Sequence, residues 1–333
     1  MNEINVVYAS DDHYAMMAGI SMISLFENNK PCSKLTVYIL ADNMSKANKE
    51  KLYGIGMMYQ RDVYLIDTSH ALKDIKQKGI NGYSNAYSKG YTAYARLLIP
   101  DFIADKDRIV YLDCDTLIIG DITELGQIDM HEKPLGLAYD CCQNKYKRYL
   151  SLDEKEGYYN TGVMIFDIGK WKQKQCTQRI IWHMEHIQRE YPLVDQDFIN
   201  VVLHNDIFCL DMKYNYLSQY YLYPYYGLKK VYDLDDGYFY KKEQYAAPDE
   251  ASVLHFCGRT FIRPWYCNSK HPSKKMYDYY YSLSPWQREV QKRCNWTVPY
   301  KIQYLLWRYA PTFVAVGGGY TMQKLFMRLY YKV

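Results

Sequence analysis

The sequence predicts an α/β fold in which a sheet is flanked by helices. Short apolar runs rich in β-branched residues alternate with stretches of helical spacing, which is the pattern of such folds. The 333 residues, 49% of them hydrophobic, suffice for one large α/β domain with an appendage or for two small domains. This composition argues against disorder. The net charge of +4 is too weak to indicate a nucleic-acid partner.

The first third of the chain shows the alternation most plainly. Strands that alternate with helices imply a parallel sheet with right-handed crossovers. A serine before a helical run is a typical N-cap, and Ser45 stands in that position. The predicted elements are a strand at 4–9, a helix at 14–26, a strand at 35–41, a helix that begins after Ser45 and ends near residue 58, and a strand at 62–67.

Residues 108–121, RIVYLDCDTLIIGD, carry the chemistry around which the chain is organised. An apolar strand core at 109–112 is followed by Asp113 and Asp115. If the strand continues, both side chains point the same way, with Cα atoms about 6.5 Å apart at a rise of about 3.3 Å per residue. Two carboxylates on one face require a cation or a proton between them. At the carboxyl end of a strand this favours a divalent site for Mg²⁺ or Mn²⁺.

Two alternatives to a metal site remain open from this stretch alone. Asp113 and Asp115 can simply cap a strand or begin a turn. The string strand-Asp-x-Asp-Thr-Leu also resembles the haloacid dehalogenase phosphatases, in which the first aspartate is a covalent nucleophile.

The later elements bring further polar side chains to the ends of predicted strands and helices. A lone histidine in an apolar strand, as at His255, is usually a core residue, and it becomes a third metal ligand only where it meets the two carboxylates. The predicted elements are a helix at 91–99 with Arg96, a strand at 134–140 ending in Asp140, a strand at 158–168 with Asn160 at its start, a helix at 171–186, a helix opened by Asp195, Gln196 and Asp197, and a strand at 252–258.

Three loops also invite interpretation. Residues 84–90 are small and polar, which suits a mobile loop. Residues 219–227, QYYLYPYYG, form either a platform for sugar rings or a packed tyrosine-rich loop. The turn at Asp11 and Asp12 is either solvated or accepts hydrogen bonds from a base or ribose. Because neither GxGxxG nor GxxxxGK[ST] occurs, neither glycine loop holds a nucleotide here.

Cysteine usage and the termini predict a cytoplasmic protein. The nine cysteines form no CxxC pair, and Cys141 and Cys142 are adjacent, so we expect reduced thiols. The N-terminus enters a strand without a basic and apolar leader, so we expect no signal peptide. No window approaches the length of about 18 uncharged apolar residues that a spanning helix needs.

Six motifs occur in a fixed order: VVYASDDHYA, TAYARLLI, IVYLDCDTLIIGDI, YYNTGVMIFDI, DQDFINVVL, and LHFCG followed by RPW. Together they resemble family 8 retaining glycosyltransferases, which include glycogenin and bacterial lipooligosaccharide galactosyl- and glucosyltransferases. The similarity runs from about residue 4 to 265. It implies the GT-A fold, a Rossmann-like nucleotide-binding mixed sheet flanked by helices, over 1–266, with a helical C-terminal appendage over 267–333. The phosphatase alternative loses ground, because its aspartate pair normally opens the domain and no later GDxxxD is present.

The resemblance also implies site residues and a reaction. Galactose or glucose would move from UDP-galactose or UDP-glucose to an oligosaccharide or glycolipid acceptor in lipopolysaccharide or other cell-surface glycan synthesis, with Mn²⁺ or Mg²⁺ bridging the diphosphate. The implied residues are Asp113, Asp115 and His255 on the metal; Ala9, Asp11 and His13 around uridine, with Cys114 also against the donor; Arg96, Asp140, Asn160 and Asp195 on sugar hydroxyls; Gly258 and Arg263 over the diphosphate; and Gln196 as the disputed nucleophile, with Asp195 as the other candidate.

One segment departs from the family pattern. The usual Gly-x-x-Lys-Pro-Trp is here two residues longer, from Gly258 to Trp265, with Arg263 in the lysine position. Arg259 is the alternative diphosphate contact. Retention permits two routes, attack by Gln196 or Asp195 to give a glycosyl-enzyme, or attack by the acceptor hydroxyl on the face that UDP leaves. We favour the second route, because an amide is a poor nucleophile and not a base.

The C-terminal region changes in composition. No acidic side chain follows Glu289, and aromatic and apolar residues at 300–307 and 313–331 are interleaved with basic ones. This suits an interfacial helix on an anionic membrane, such as the inner face of the plasma membrane, through residues 300–333. An ordinary amphipathic helix packed on the catalytic domain is the alternative. The basic residues are Lys301, Arg308, Lys324, Arg328 and Lys332.

Overall fold

The computed structural model describes residues 3–77, 83–84, 89–189, 191–235, 237–258 and 261–330. Its centre is a seven-stranded mixed sheet in the order β10-β8-β9-β6-β1-β2-β3. These strands are β1 (Glu3–Asp11), β2 (Lys34–Asp42), β3 (Asp62–Asp67), β6 (Arg108–Leu112), β8 (Leu135–Tyr139), β9 (Tyr159–Asp167) and β10 (Ile207–Cys209). The α/β prediction and the mixed, helix-flanked sheet are confirmed.

Two smaller sheets complete the strand set of the described chain. A three-stranded sheet in the order β11-β12-β7 abuts the end of β6, and a two-stranded antiparallel pair, β4 with β5, flanks a segment outside the described residues. Their strands are β4 (Tyr83–Ser84), β5 (Lys89–Gly90), β7 (Thr116–Ile118), β11 (Tyr216–Leu217) and β12 (Val253–His255). The predicted mobile loop at 84–90 lies largely outside the described residues.

Helices cover both faces of the central sheet and form the C-terminal region. They are α1 (Ala15–Asn28), α2 (Lys46–Tyr59), α3 (Ser69–Gln77), α4 (Ile99–Phe102), α5 (Asn144–Tyr149), α6 (Ile168–Gln173), α7 (Cys176–His186), α8 (Val194–Leu203), α9 (Tyr225–Tyr232), α10 (Lys274–Ser282), α11 (Val298–Tyr309) and α12 (Thr312–Tyr330). Short 3₁₀ helices occur at Thr92–Leu98, Thr123–Gly126, His204–Asp206, Met212–Tyr214, Ser218–Tyr221 and Lys242–Gln244.

The central sheet separates two hydrophobic cores. Successive side chains of a strand point to opposite faces, and in β6 this sends Val110 and Leu112 into one core and Ile109 and Tyr111 into the other. The first core is shared with α1, and the second with α8. Because both faces are covered, the strands read as continuous apolar runs, which is why the sequence marked them clearly.

Three local predictions need correction. The sheet is parallel among β1, β2, β3 and β6, but β9 runs antiparallel to both of its neighbours. The helix predicted at 171–186 is two helices, because Gln175 adopts a left-handed conformation with φ of 52° and interrupts the hydrogen-bond ladder. The helix predicted at 91–99 is a 3₁₀ helix that passes into α4 at Ile99. The Ser45 cap is confirmed by its hydrogen bond from the Asn48 backbone amide.

The C-terminal helices pack on the rest of the chain through one side. The Trp307 indole donates to the Tyr221 carbonyl at 3.1 Å, and its ring meets Phe261 edge-on with centroids 5.0 Å apart. The Tyr280 hydroxyl of α10 accepts a hydrogen bond from Asn28 of α1 at 2.7 Å. The division at residue 266 stays a prediction. Within the described residues, none of the helices is both long enough and apolar enough to cross a bilayer.

Candidate functional site

Asp113 and Asp115 lie in a turn between the two larger sheets. β6 ends at Leu112, and β7 begins at Thr116 as part of the three-stranded sheet. The Asp113 amide donates to the Gly162 carbonyl of β9 at 2.7 Å, and the Asp115 carbonyl accepts from the Phe256 amide at 2.9 Å. The expected strand geometry is therefore wrong, and a turn fixed at both ends brings the two carboxylates together.

The turn meets His255 at the end of β12. His255 Nε2 lies 3.3 Å from Asp115 Oδ1 and 3.7 Å from Asp113 Oδ2. One ligand atom from each of the three residues lies within 4.8 Å of the others. Two carboxylates and one imidazole suit a divalent cation such as Mn²⁺ and leave positions for phosphate oxygens. The predicted ligands are thus brought together, and their chemistry fits a metal.

The surroundings of the triad are strongly charged. Burial opposes ionisation of Asp115, but His255 and Arg263 outweigh it and hold the pKa of Asp115 below its usual range. Arg263 Nη1 lies 2.5 Å from Asp115 Oδ2. Burial lowers the pKa of His255, but Cys257 and Asp115 together raise it well above normal. Arg263 therefore brings a fixed positive charge to the edge of the triad.

Arg96 connects the triad with α8. Its Nη2 lies 2.8 Å from Asp113 Oδ1, and its Nε lies 3.2 Å from Asp195 Oδ2. Nη1 donates to the Thr161 carbonyl at 2.9 Å, so all three guanidinium nitrogens contact the protein. Burial disfavours the charged form, but Asp113 and Asp195 outweigh it and raise the pKa of Arg96 further. Arg96 is thus a salt-bridged residue in this structure, and its contact with a sugar hydroxyl stays a prediction.

Asp140, Asn160 and Gln196 form one hydrogen-bonded cluster. Asn160 Nδ2 donates to Asp140 Oδ2 at 3.0 Å, and Gln196 Nε2 donates to the same oxygen at 3.0 Å. Gln196 Oε1 accepts from Asn160 Nδ2 and from the Thr161 amide, each at 3.3 Å. Because both ends of the Gln196 amide are engaged, its orientation is fixed.

Asp195 is buried at the start of α8 behind this cluster. The preceding residue, Val194, has φ of 42°, a left-handed conformation that a β-branched residue rarely adopts. Such strain is typical of residues that position functional groups. Burial, aided by the charge of Asp113 and opposed by Arg96, raises the pKa of Asp195 to about 6.

The residues expected around uridine line the end of β1. The Ala9 carbonyl accepts from the Cys114 thiol at 3.2 Å, so the Asp113–Asp115 turn touches β1 here. Asp11 Oδ1 accepts from the Tyr14 amide at 3.0 Å, which identifies the acidic turn as part of the entry to α1. His13 is exposed, with its ring edge-on to Tyr14. Their contact with a nucleotide stays a prediction.

The segment after β12 is described only in part. Gly258 has φ of +74°, which explains a glycine at this position. Arg259 lies outside the described residues, so only Arg263 of the two candidate arginines has described contacts. Of the aromatic run at 219–227, Tyr220, Tyr223 and Tyr225 are buried, and this favours the packed-loop alternative over a sugar platform.

Two residues that sequence reasoning missed complete the site. Gly162 of β9 packs directly under the His255 ring, where an added Cβ would lie 2.1 Å from His255 Cε1. Asn215 is fully buried, and its Oδ1 accepts from His255 Nδ1 at 2.9 Å. The glycine in the NTGV string was a visible signal for the first. Nothing local marked Asn215.

The mixed sheet presents a carboxylate and imidazole triad beside a cluster of amides and acids, an arrangement that suits a divalent cation and sugar hydroxyls. Residues 5–268 match the model for glycosyl transferase family 8. The chain therefore belongs to glycosyl transferase family 8, and it is a glycosyltransferase. Membership implies a nucleotide-sugar donor, a glycan acceptor and a divalent metal, and it gives no support to the phosphatase alternative.

Two relatives align with this chain over most of their own length. It is 28% identical over 297 residues to the lipopolysaccharide 1,2-glucosyltransferase of Escherichia coli, covering 87% of the chain and 81% of that protein. It is 26% identical over 290 residues to general stress protein A of Bacillus subtilis, covering 85% and 94%. The galactosyltransferase LgtC, solved with donor and acceptor sugar analogues, superposes with a TM-score of 0.70 at 21% identity, covering 86% of this chain and all of that one.

Proposed function

We propose that this protein is a retaining hexosyltransferase that moves galactose or glucose from a UDP-sugar to a glycan acceptor with Mn²⁺. The observation that carries the proposal is the junction made by Arg96. This one guanidinium contacts Asp113 of the metal triad and Asp195 of α8, so the predicted diphosphate and sugar sites are adjacent. A donor that carries a charged diphosphate and a neutral sugar needs this combination.

The charged half of the site suits a UDP leaving group. A divalent cation bound by the triad would neutralise the negative charge that develops on the diphosphate. Arg263 adds a second positive charge there without supplying a proton. If the diphosphate binds Arg263, the guanidinium exchanges one anionic partner, Asp115, for another, the diphosphate.

The polar half of the site suits sugar hydroxyls. Asp140 and Asn160 present acceptors and donors that are already oriented by each other and by Gln196. Because the Gln196 amide is engaged at both ends and has no basic atom, we assign it to holding the sugar. The acceptor hydroxyl then attacks on the face that UDP leaves, and a phosphate oxygen takes its proton. A stable covalent adduct at Gln196 or Asp195 in a trapped reaction would overturn this route.

The donor sugar is galactose or glucose, and the acceptor is a lipid-linked or cell-surface glycan. A glucosyltransferase of lipopolysaccharide and a galactosyltransferase stand among the proteins that this chain resembles. The two hexoses differ at one hydroxyl, so a direct comparison of UDP-galactose with UDP-glucose identifies the donor.

Release of UDP from a panel of UDP-sugars tests the function. We expect turnover of one UDP-hexose with Mn²⁺, loss of turnover with a chelator, and loss in Asp113→Asn. Asp62→Asn, at an exposed acid that opens the edge strand β3, is the matched control and should keep full turnover. Metal-dependent cleavage of phosphate esters, with no UDP-sugar bound or consumed, would refute the proposal.

We further propose that the outer side of α11 and α12 lies on an anionic membrane surface. In α11 the exposed side chains Val298, Ile302, Leu305 and Tyr309 follow helical spacing and form one apolar stripe. The exposed Lys301 and Arg308 flank it, and no acidic residue occurs in either helix. An apolar stripe with basic flanks matches the interface of anionic lipids.

Flotation with lipid vesicles tests the membrane surface. Removing residues 300–333 should release the enzyme from vesicles and leave donor hydrolysis, but it also strips Trp307 from its contact with Tyr221. Ile302→Ser with Leu305→Ser alters the stripe alone. We expect the wild type to float with anionic vesicles and the double variant to stay behind. Met57→Ser, at an exposed residue of α2, is the control. Equal flotation of the double variant would contradict the idea.

A further inference from the structure

Asn215 joins the metal triad to the sugar-binding cluster. It follows the 3₁₀ helix Met212–Tyr214 and precedes β11 in the chain, and it is fully buried. Its Oδ1 accepts from His255 Nδ1 at 2.9 Å, and its Nδ2 donates to Asn160 Oδ1 at 2.9 Å. The side chain therefore uses both ends of its amide on two residues with separate predicted roles.

A backbone amide fixes the direction of this hydrogen-bond chain. The Gly162 N–H donates to Asn160 Oδ1 at 2.9 Å, and a backbone N–H can only donate. Asn160 must therefore present its oxygen to Gly162 and to Asn215. Asn215 must in turn present its NH₂ to Asn160 and its oxygen to His255. No choice of amide orientation remains once the first link is set.

The direction of this hydrogen-bond chain decides which imidazole nitrogen of His255 can offer a lone pair to a metal beside the carboxylates. An oxygen at Asn215 requires a hydrogen on His255 Nδ1, whether the ring is neutral or protonated. The nitrogen that can offer a lone pair is then Nε2, which lies 3.3 Å from Asp115 Oδ1. Partners that fix the tautomer of a metal-binding histidine typically change metal affinity by about 10- to 100-fold when removed.

The other end of the hydrogen-bond chain reaches the residues predicted to contact the sugar. Asn160 gives its oxygen to Gly162 and Asn215, so its NH₂ is left for Asp140 Oδ2 at 3.0 Å and Gln196 Oε1 at 3.3 Å. If Asn215 no longer donates, one of the two donors that hold the Asn160 oxygen is lost. The Asn160 oxygen is then held by the Gly162 amide alone.

We propose that Asn215 is a positioning residue that sets the metal-binding tautomer of His255 and, through Asn160, the orientation of the sugar-binding cluster. Metal affinity and recognition of the donor hexose are thereby coupled through one buried side chain. This inference rests on the proposed metal-dependent use of a UDP-hexose.

Two substitutions of similar size separate the two halves of this role. Asn215→Leu removes both hydrogen bonds. Asn215→Asp keeps an acceptor for His255 Nδ1 but turns a carboxylate oxygen toward Asn160 Oδ1, so only the link to the sugar cluster is broken. Thr177→Val is the matched control, because it removes a buried hydrogen bond, from the Trp171 indole at 2.9 Å, outside the site.

Titration of the full-length protein with Mn²⁺ by calorimetry, followed by titration with UDP and with the UDP-hexose, measures both halves. We expect Asn215→Leu to weaken Mn²⁺ binding by about 10- to 100-fold. We expect Asn215→Asp to keep Mn²⁺ affinity and UDP affinity while losing the extra affinity that the hexose gives over UDP. Thr177→Val should lower the melting temperature and leave every affinity unchanged.

The outcomes distinguish this inference from the proposed function. A wild-type protein that binds no divalent metal would overturn the proposed function and the inference with it. A wild type that binds Mn²⁺ beside an Asn215→Leu variant of equal affinity would overturn the inference alone. If Asn215→Leu does not fold, Asn215→Asp decides, because weakened Mn²⁺ binding in that variant would contradict the assigned role in the tautomer.

Discussion

Replacing Gly162 by alanine places a methyl group where the His255 ring now lies. The added Cβ would stand 2.1 Å from Cε1, 2.6 Å from Nδ1 and 2.9 Å from Nε2 of that ring. Ordinary contact between carbon atoms requires about 3.5 Å, so the ring must withdraw by about 1.4 Å. A retreat of β9 instead would break the 2.7 Å hydrogen bond that the Gly162 carbonyl accepts from the Asp113 amide.

A displacement of that size is incompatible with the present ligand geometry. The 2.9 Å hydrogen bond from His255 to Asn215 would break, and metal–ligand distances tolerate only about 0.2 Å. We expect Gly162→Ala to fold with a loss of about 1–3 kcal/mol, which is typical of an overpacked core. We expect its affinity for Mn²⁺ to fall by about 100-fold or more, the upper end of the range seen when the support of a ligand is lost.

Thermal or denaturant unfolding with and without Mn²⁺ measures this loss directly. At a metal concentration about 100 times the dissociation constant, the wild type should gain about 2.7 kcal/mol, whereas a variant with 100-fold weaker binding gains about 0.4 kcal/mol. Gly54→Ala is the matched control, because nothing lies within 4 Å of its added Cβ in α2. It should be stabilised by about 0.5–1 kcal/mol. An unchanged metal-dependent gain in Gly162→Ala would refute the reasoning.

Three further outcomes are expected. Burial raises the pKa of Asp197 to about 6, so the folded state holds a proton that the unfolded state loses from about pH 4 upward. This contribution to stability should fall by about 2 kcal/mol between pH 4.5 and pH 7. Urea unfolding at pH 4.5 and 7 should show a decline that is about 2 kcal/mol larger in the wild type than in Asp197→Asn, because Asp195 keeps its own raised pKa in both proteins. Gln60 ends α2 in a left-handed conformation with φ of 54°. Because glycine adopts this conformation without strain, Gln60→Gly should raise the free energy of unfolding by about 0.5–1 kcal/mol without altering turnover. A drop in melting temperature would contradict this. Arg263→Gln should weaken UDP binding about tenfold or more in calorimetry. A larger loss of UDP affinity in Arg259→Gln would identify Arg259 as the diphosphate contact instead.

Sequence patterns predicted the elements whose signals are local. The apolar strands, the Ser45 cap and the acids that open α8 are each encoded within a few neighbouring residues. The antiparallel course of β9 was not predictable in this way, because an apolar run has the same composition in either direction. The break at Gln175 was hidden for a similar reason, since neither glycine nor proline marks it.

The site was predictable only as far as its motifs extend. Asp113, Asp115 and His255 stand in motifs, and the fold brings them together. Asn215 and the packing of Gly162 under His255 depend on contacts between distant segments, which no local pattern records. The turn that replaces the expected strand at 113–115 arises because β7 joins a different sheet, which is again a property of the tertiary structure.

The pairing of β7 with β12 ties the completion of the site to the order in which the chain is synthesised. His255 opposes Thr116 in that pair, so the third ligand leaves the ribosome long after the two aspartates. Chains fold from the N-terminus as they emerge, at about 5–20 residues per second. An unfinished chain therefore carries the two carboxylates without the imidazole, so we expect it to consume no sugar nucleotide before β12 has formed.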